Sequence, residues 1–237
     1  MGTLEALDST AMAFPDLADR IVEAEGRIWE STKRGGHSQK VTIIGVTKTH
    51  GPEAVHAAWE AGLRDVGENK VQEALGKMAA VDVPVRWHLI GHLQRNKVKA
   101  LEHFAMLHAL DSPRLADAVN KLGIESGRAV EALVEMNLSG EESKGGYKES
   151  ELRAEAERLT TLPGIRVRGV MTMASFTADE AALHRTFAAA RGARDVLREA
   201  GHPAEELSMG MSNDYEIAVE EGATMVRLGT TLFGARE

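Results

Sequence analysis

The chain has 237 residues, 43% of them hydrophobic and 4% aromatic, with no cysteine and a formal net charge of −8. That length suits one barrel-sized domain, because a (β/α)₈ barrel takes about 250 residues, and the composition supplies an aliphatic, alanine-rich core. Without cysteine there is no disulfide framework and no thiolate-held metal. The acidity argues against nucleic acid and anionic membrane as partners, and leaves an anionic ligand to local N–H groups or a placed arginine.

No basic-then-apolar leader opens the chain and no run approaches the ~18 apolar residues of a membrane span, so a cytoplasmic protein is expected. The first ten or so residues are expected to be disordered. Residues 11–34 read as a helix with Ile21, Val22, Ile28 and Trp29 on one face. Then Val41 to Lys48 reads as a β-branched strand buried on both faces, followed by a helix from Pro52 to Ala61. From there a regular alternation sets in. Strands are expected at 63–67, 85–91, 106–111, 129–138, 165–173, 206–211 and 223–229. Helices are expected at 71–78, 93–101, 112–122, 150–159, 179–200 and 213–221, the last opened by an Asn213–Glu216 capping box. A glycine-rich loop, Ser139 to Gly146, follows the fifth strand. Eight strands alternating with helices, without a linker, predict parallel strands and right-handed crossovers. An open doubly wound sheet competes, but eight units in this length favour a single TIM-type barrel over 1–237, its extra N-terminal helix capping the bottom.

Barrel enzymes carry their functional groups at the carboxyl ends of the strands. Here those ends offer Lys48, Glu68, Asn69, His88, His92, Asp111, Asn137, Met173, Ser208, Ser212, Arg227, Gly229 and Thr230. Lysine in that place is the residue for making an imine with a carbonyl compound. Barrel phosphate sites form after strands seven and eight, where Ser208 to Asn213 supply hydroxyls and Gly229-Thr230-Thr231 supply close backbone N–H groups. Arg227 lies two residues before Gly229 and points the same way; on a buried strand it needs a partner. An imine-forming lysine, a phosphate cup and an inward arginine outline pyridoxal 5′-phosphate (PLP). Other motifs are weaker. His88 and His92 have a helical zinc spacing but sit on a predicted strand, so no metal is expected. No nucleophile elbow, P-loop lysine or Gly-x-Gly-x-x-Gly occurs.

In their order along the chain these segments resemble one family, the pyridoxal phosphate homeostasis proteins (YggS/PROSC type). Val46-Thr47-Lys48-Thr49 resembles its Val-Ser-Lys-Thr. Gly67-Glu68-Asn69-Lys70-Val71-Gln72-Glu73 resembles Gly-Glu-Asn-x-x-Gln-Glu. Trp87 to Lys97 resembles Trp-His-Phe-Ile-Gly-x-Leu-Gln-x-Asn-Lys, and Leu207 to Asp214 with Val226 to Gly234 complete the set. The resemblance implies a barrel like the N-terminal domain of alanine racemase, with Lys48 forming the internal aldimine with PLP. It places Arg227 near the pyridine nitrogen, Asn69 near the ring, and Ser208, Ser212, Gly229 and Thr230 around the phosphate. Thr47 stands where serine is usual, His50 for Lys or Phe, Leu89 for Phe and Asn213 for Asp or Ala; His50 and Leu89 are expected to alter what approaches the ring.

The function implied is intracellular PLP homeostasis: holding, releasing or delivering the cofactor, without turnover. A guanidinium hydrogen-bonds the pyridine nitrogen without protonating it, which leaves a weak electron sink. A racemase needs opposed bases from a second domain, and the chain stops seven residues after Thr230. The implied partners are PLP, amino acids that discharge it, and PLP-dependent apoenzymes that receive it; the expected state is a monomer. The alternatives are a racemase-like enzyme, a class I Schiff-base aldolase with Glu68 or Asp111 shuttling the proton, and a scaffold whose barrel top binds proteins.

Overall fold

The computed structural model describes residues 13–141 and 145–234. Disorder in the first ten residues and part of the glycine-rich loop therefore lie outside the described residues. An opening helix α1 (Leu17–Gly35) precedes β1 (Thr42–Val46), α2 (Pro52–Glu60), β2 (Asp65–Glu68), α3 (Val71–Ala80), β3 (Arg86–Leu89), a 3₁₀ helix (Arg95–His103) and β4 (Met106–Leu110). Then come α4 (Pro113–Ser126), β5 (Val130–Met136), α5 (Glu149–Leu159), β6 (Ile165–Thr172), α6 (Glu180–Glu199), β7 (Glu206–Met211), α7 (Tyr215–Glu220), β8 (Met225–Leu228) and α8 (Thr230–Phe233). The strands pair in chain order into a closed barrel, β8 returning to β1 in parallel. Closure removes the two sheet edges that an open doubly wound sheet would leave.

Local chemistry sets the helix starts. The Ser112 hydroxyl accepts from Leu115 N–H ahead of Pro113, and the Asp179 carboxylate accepts from Ala182 N–H at 2.7 Å. Between sheet and helices lies one large apolar layer, including Leu89, Leu107, Leu115, Phe187 and Leu197. The barrel interior is divided. On the β4–β6 side Ala109, Leu133 and Met171 fill it, flanked by Met106 and Met173. On the other side the buried interior groups are polar: Asp65, His88, His108, Ser208 and Arg227.

Four expectations are corrected. In α1, Ile21 and Ile28 are buried with Leu17 and Ala24, whereas Val22 and Trp29 are 67% and 57% exposed. The buried stripe runs i, i+4, i+7, and each next residue lies about 100° further round. Nor does α1 cap the bottom; it packs along α7 and α8, with Arg20 Nη1 donating to Leu232 O and Arg27 paired with Glu216. Between β3 and β4 the predicted helix is a 3₁₀ helix, whose buried Val98 and Leu101 stand three apart, the repeat that a 3₁₀ turn superposes. Finally, Asn213 caps nothing. Asp214 holds the cap position of α7 and its carboxylate turns back to accept from Met211 N–H at 2.6 Å, so the helix starts two residues later.

Candidate functional site: the mouth of the barrel

The inward residues of β1 are Ile44 and Val46, and the next inward position is Lys48, two residues past Val46. The residues on either side of it are fixed from outside the barrel. Thr47 Oγ donates to Glu68 Oε1 at 2.6 Å. Lys77, on α3, donates its Nζ to Glu68 Oε1 at 2.6 Å, Thr47 O at 2.7 Å and Glu73 Oε1 at 3.0 Å. Thr49 donates its backbone N–H to Glu73 and takes a left-handed φ of 71°. Glu68 is fully buried, and burial pushes its carboxyl above the ordinary range even against Lys77 and Thr47. Two charges out of water cost more than a surface pair returns. The cluster's effect is positional: it pins the turn that presents Lys48. Glu68 faces the helices, so the aldolase shuttle assigned to it fails for want of access to the mouth.

On the opposite side of Lys48's neighbours, Asn69 follows β2 into the mouth. Gly91 lies so close that a Cβ there would stand 2.4 Å from Asn69 O, so only glycine lets the β3 loop pass. After β7 and β8 come Ser212 and Asn213, then Gly229 and Thr230. Ser212 Oγ accepts from Thr231 N–H at 3.1 Å, which ties the two loops together and leaves the Ser212 O–H to donate elsewhere.

Arg227 is 4% exposed. Its Nη1 donates to Ser208 O at 2.7 Å and Ser208 Oγ at 2.6 Å, and its Nη2 to Thr172 O at 2.9 Å. Three of five N–H groups are thus held by the barrel, and two remain for a ligand acceptor. Burial pulls its pKa down to about 10, against the pull of Asp214 and Glu135. It still carries its proton at neutral pH.

Behind Arg227 runs a buried chain that the sequence reading missed. His108 Nδ1 meets Ser208 Oγ at 2.9 Å, His108 Nε2 meets His88 Nδ1 at 2.9 Å, and His88 Nε2 meets Asp65 Oδ1 at 2.8 Å. Burial, then the His88 and Arg227 charges, push His108 well below the usual histidine range, so its ring is neutral. A neutral His108 has one N–H and one acceptor nitrogen, so it donates to one of Ser208 and His88 and accepts from the other, while His88 Nε2 donates to the Asp65 carboxylate. Arg86 closes the chain with Nε and Nη2 donating to Asp65 at 2.8 and 2.6 Å. The available signal was the two histidines at inward positions of adjacent strands.

Ser208 is corrected accordingly. It is fully buried beneath the mouth and its hydroxyl serves Arg227 and His108, below the loops that follow β7 and β8. His88 likewise sits in the interior, His92 pairs through Nδ1 with Asp111 at 2.6 Å, and Asn137 donates to Glu141 O within its own loop. Leu89 is fully buried in the helix–sheet layer, away from the mouth, because it points outward from β3. His50 packs edge-on to Phe14 and tilted on Phe233.

What is left at the mouth is a cavity of about 670 Å³, within the roughly 300–1,000 Å³ typical of ligand sites. Lys48, Asn69, Ser212, Arg227, Gly229 and Thr230 all line it, joined by Asp111, Glu135, Met173 and Phe176. Among the described residues no group of three His, Cys, Asp or Glu could hold a metal ion, and no helix is long and apolar enough to cross a membrane.

The class of protein is a closed parallel α/β barrel that carries an amine at its first strand end and a guanidinium on its last strand. The family model for the alanine racemase N-terminal domain matches residues 30–237. A pyridoxal phosphate homeostasis protein of Pseudomonas aeruginosa is 41% identical over 224 residues, covering 93% of this chain and 96% of the relative. That of Aquifex aeolicus is 39% identical, covering 92% and 98%. The structure of PipY from Synechococcus elongatus with PLP bound superposes with a TM-score of 0.82 at 36% identity, covering 92% of this chain and all of PipY. Alanine racemase of Corynebacterium glutamicum, at 17% identity and a TM-score of 0.71, shows the shared fold alone. The chain belongs to the pyridoxal phosphate homeostasis protein family, built on the alanine racemase N-terminal barrel.

Proposed function

We propose that this chain binds PLP through a Schiff base on Lys48 and serves intracellular PLP homeostasis, holding the cofactor and passing it to PLP-dependent apoenzymes, as a monomer and without turnover of its own. The observation that carries this reading is that one cavity brings together the Lys48 amine, the tied Ser212 and Gly229–Thr230 loops, and the spare N–H groups of Arg227. The donor set fits the group. Hydroxyl and backbone N–H donors suit a phosphate in an otherwise acidic protein, and a fixed guanidinium suits a ring nitrogen that accepts. When bound, PLP supplies an electron sink whose strength depends on protonation of that nitrogen.

Arg227 is the side chain that keeps the electron sink weak. With its pKa at about 10, only about one guanidinium in a thousand is neutral at pH 7, so it orients the ring nitrogen without giving it a proton. Ser208 and Thr172 keep it in that orientation. The homeostasis names of the curated relatives and the PLP-bound PipY structure support the same reading. Borohydride reduction of the loaded protein followed by peptide mapping is expected to place the pyridoxyl group on Lys48, and Lys48→Ala to lose it. Labelling elsewhere with Lys48 unmodified would overturn the proposal, as would failure of the loaded protein to transfer PLP to an unrelated apoenzyme.

A further inference from the structure

In an eight-stranded barrel β5 stands four strands from β1 in either direction, so its end faces Lys48 across the mouth. The inward residues of β5 are Leu133, packed with Ala109 and Met171, and then Glu135. Glu135 is 7% exposed and lines the cavity, yet among the described residues no hydrogen bond or ion pair reaches its carboxyl. A carboxylate removed from water without a bonded partner is unfavourable, and the described residues of the barrel supply no bond to it. Around it β4 ends in Asp111, which is held by His92 from the β3 loop; β8 carries Arg227, committed to Ser208 and Thr172; β6 leads to Met173 and β7 to Met211.

We propose that Glu135, with Asp111 beside it, is a subsite for the ammonium group of a second ligand, a primary amine sharing the cavity with PLP. The proposal rests on the PLP reading for what occupies the rest of the cavity. Burial first, and then the charge of Asp111, push the Glu135 carboxyl up to about 7, against the pull of Arg227 and His92. A cation placed between the two carboxyls offsets both causes, so the site is complementary to an ammonium and hostile to an anion. Asp111 is held through one oxygen by His92 at 2.6 Å and accepts from the Ser112 hydroxyl through the other at 2.9 Å, so its carboxylate is fixed beside Glu135, which carries the open acceptor.

The test uses the full chain without PLP, with ethylammonium as probe and 1-propanol as its uncharged analogue, at about pH 8 where the Glu135 carboxyl is ionised. Saturation-transfer NMR is expected to show saturable ethylammonium binding and none for propanol. Glu135→Gln, close in shape, should weaken that binding about tenfold or more, and Glu135→Asp should keep part of it. Absence of saturable binding, equal binding to Glu135→Gln, or equal binding of propanol would each overturn the subsite. Adding PLP to portions of the same preparations and reducing with borohydride separates the two proposals. If Lys48 is labelled but ethylammonium does not bind, the subsite alone fails; if ethylammonium binds without labelling, the PLP reading fails and the subsite stands.

Discussion

Replacing Lys77 with methionine removes the cation from beneath the Lys48 turn while keeping most of the side chain's apolar volume. In the wild type Lys77 Nζ makes bonds of 2.6, 2.7 and 3.0 Å to Glu68, Thr47 O and Glu73. Glu73 is 26% exposed and can return to water, but the Glu68 side chain is 0% exposed and cannot. The cost is therefore that of one orphaned buried carboxylate, with the Thr47 hydroxyl still in place, so the low end of the 3–5 kcal/mol range applies: about 3 kcal/mol. For a chain of this size that lowers the Tm by roughly 6–12 °C. Denaturant titration at pH 7 gives the free energy directly. The deficit should shrink toward pH 4: Glu68 is raised in the folded state, so its charge destabilises only as pH climbs above the ordinary carboxylate range. Adding Glu68→Gln should return the double variant to within about 1.5 kcal/mol of wild type, since no charge is then left stranded. A loss below about 1 kcal/mol for the single variant, or no recovery in the double, would refute the assignment of this cluster as a buried, charge-compensated clamp.

Three more outcomes follow from the same geometry. Glu135→Gln should stabilise the fold at neutral pH by up to about 3 kcal/mol, because a carboxyl raised to about 7 makes stability fall as pH climbs from about 4.5 to 7; the gain should vanish near pH 4, as followed by melting temperature against pH. Ser208→Ala and Ser212→Ala should each weaken PLP binding about fivefold. On replacing PLP with pyridoxal, which lacks the phosphate, the Ser212 effect should disappear and the Ser208 effect persist, because Ser208 acts through Arg227; absorbance titration distinguishes them. Gly91→Ala should cost about 1–3 kcal/mol in denaturant unfolding and loosen Asn69, since the added methyl would lie 2.4 Å from its carbonyl.

Much of the architecture was legible because it depends on local chemistry with a short period. Buried strands bounded by glycine, and helices opened by Ser112-Pro113 or Asp179, announce themselves within a few residues. Strand-end position nominated a wider cast, out of which the family resemblance picked Lys48, Asn69, Ser208, Ser212, Arg227, Gly229 and Thr230; all of these but the buried Ser208 line one cavity. Errors arose where a single residue of register decides which side of the sheet or helix a group faces. Glu68 looked like a mouth residue but lies beneath α3, and Val22 looked like core but lies one step round the helix from Ile21.

By itself, then, the sequence determined the alternation of strands and helices, the parallel sheet, and the identity of the amine and guanidinium offered at its rim. Only the tertiary structure decided what those groups meet. Closing the barrel sets Asp65, His88, His108, Ser208 and Arg227 in one hydrogen-bonded line although up to 100 residues separate two partners, and it leaves Glu135 facing the mouth without a bond among the described residues. Periodicity is set by neighbours along the chain, whereas pairing inside a barrel is set by which strands closure brings together, and no local preference encodes that.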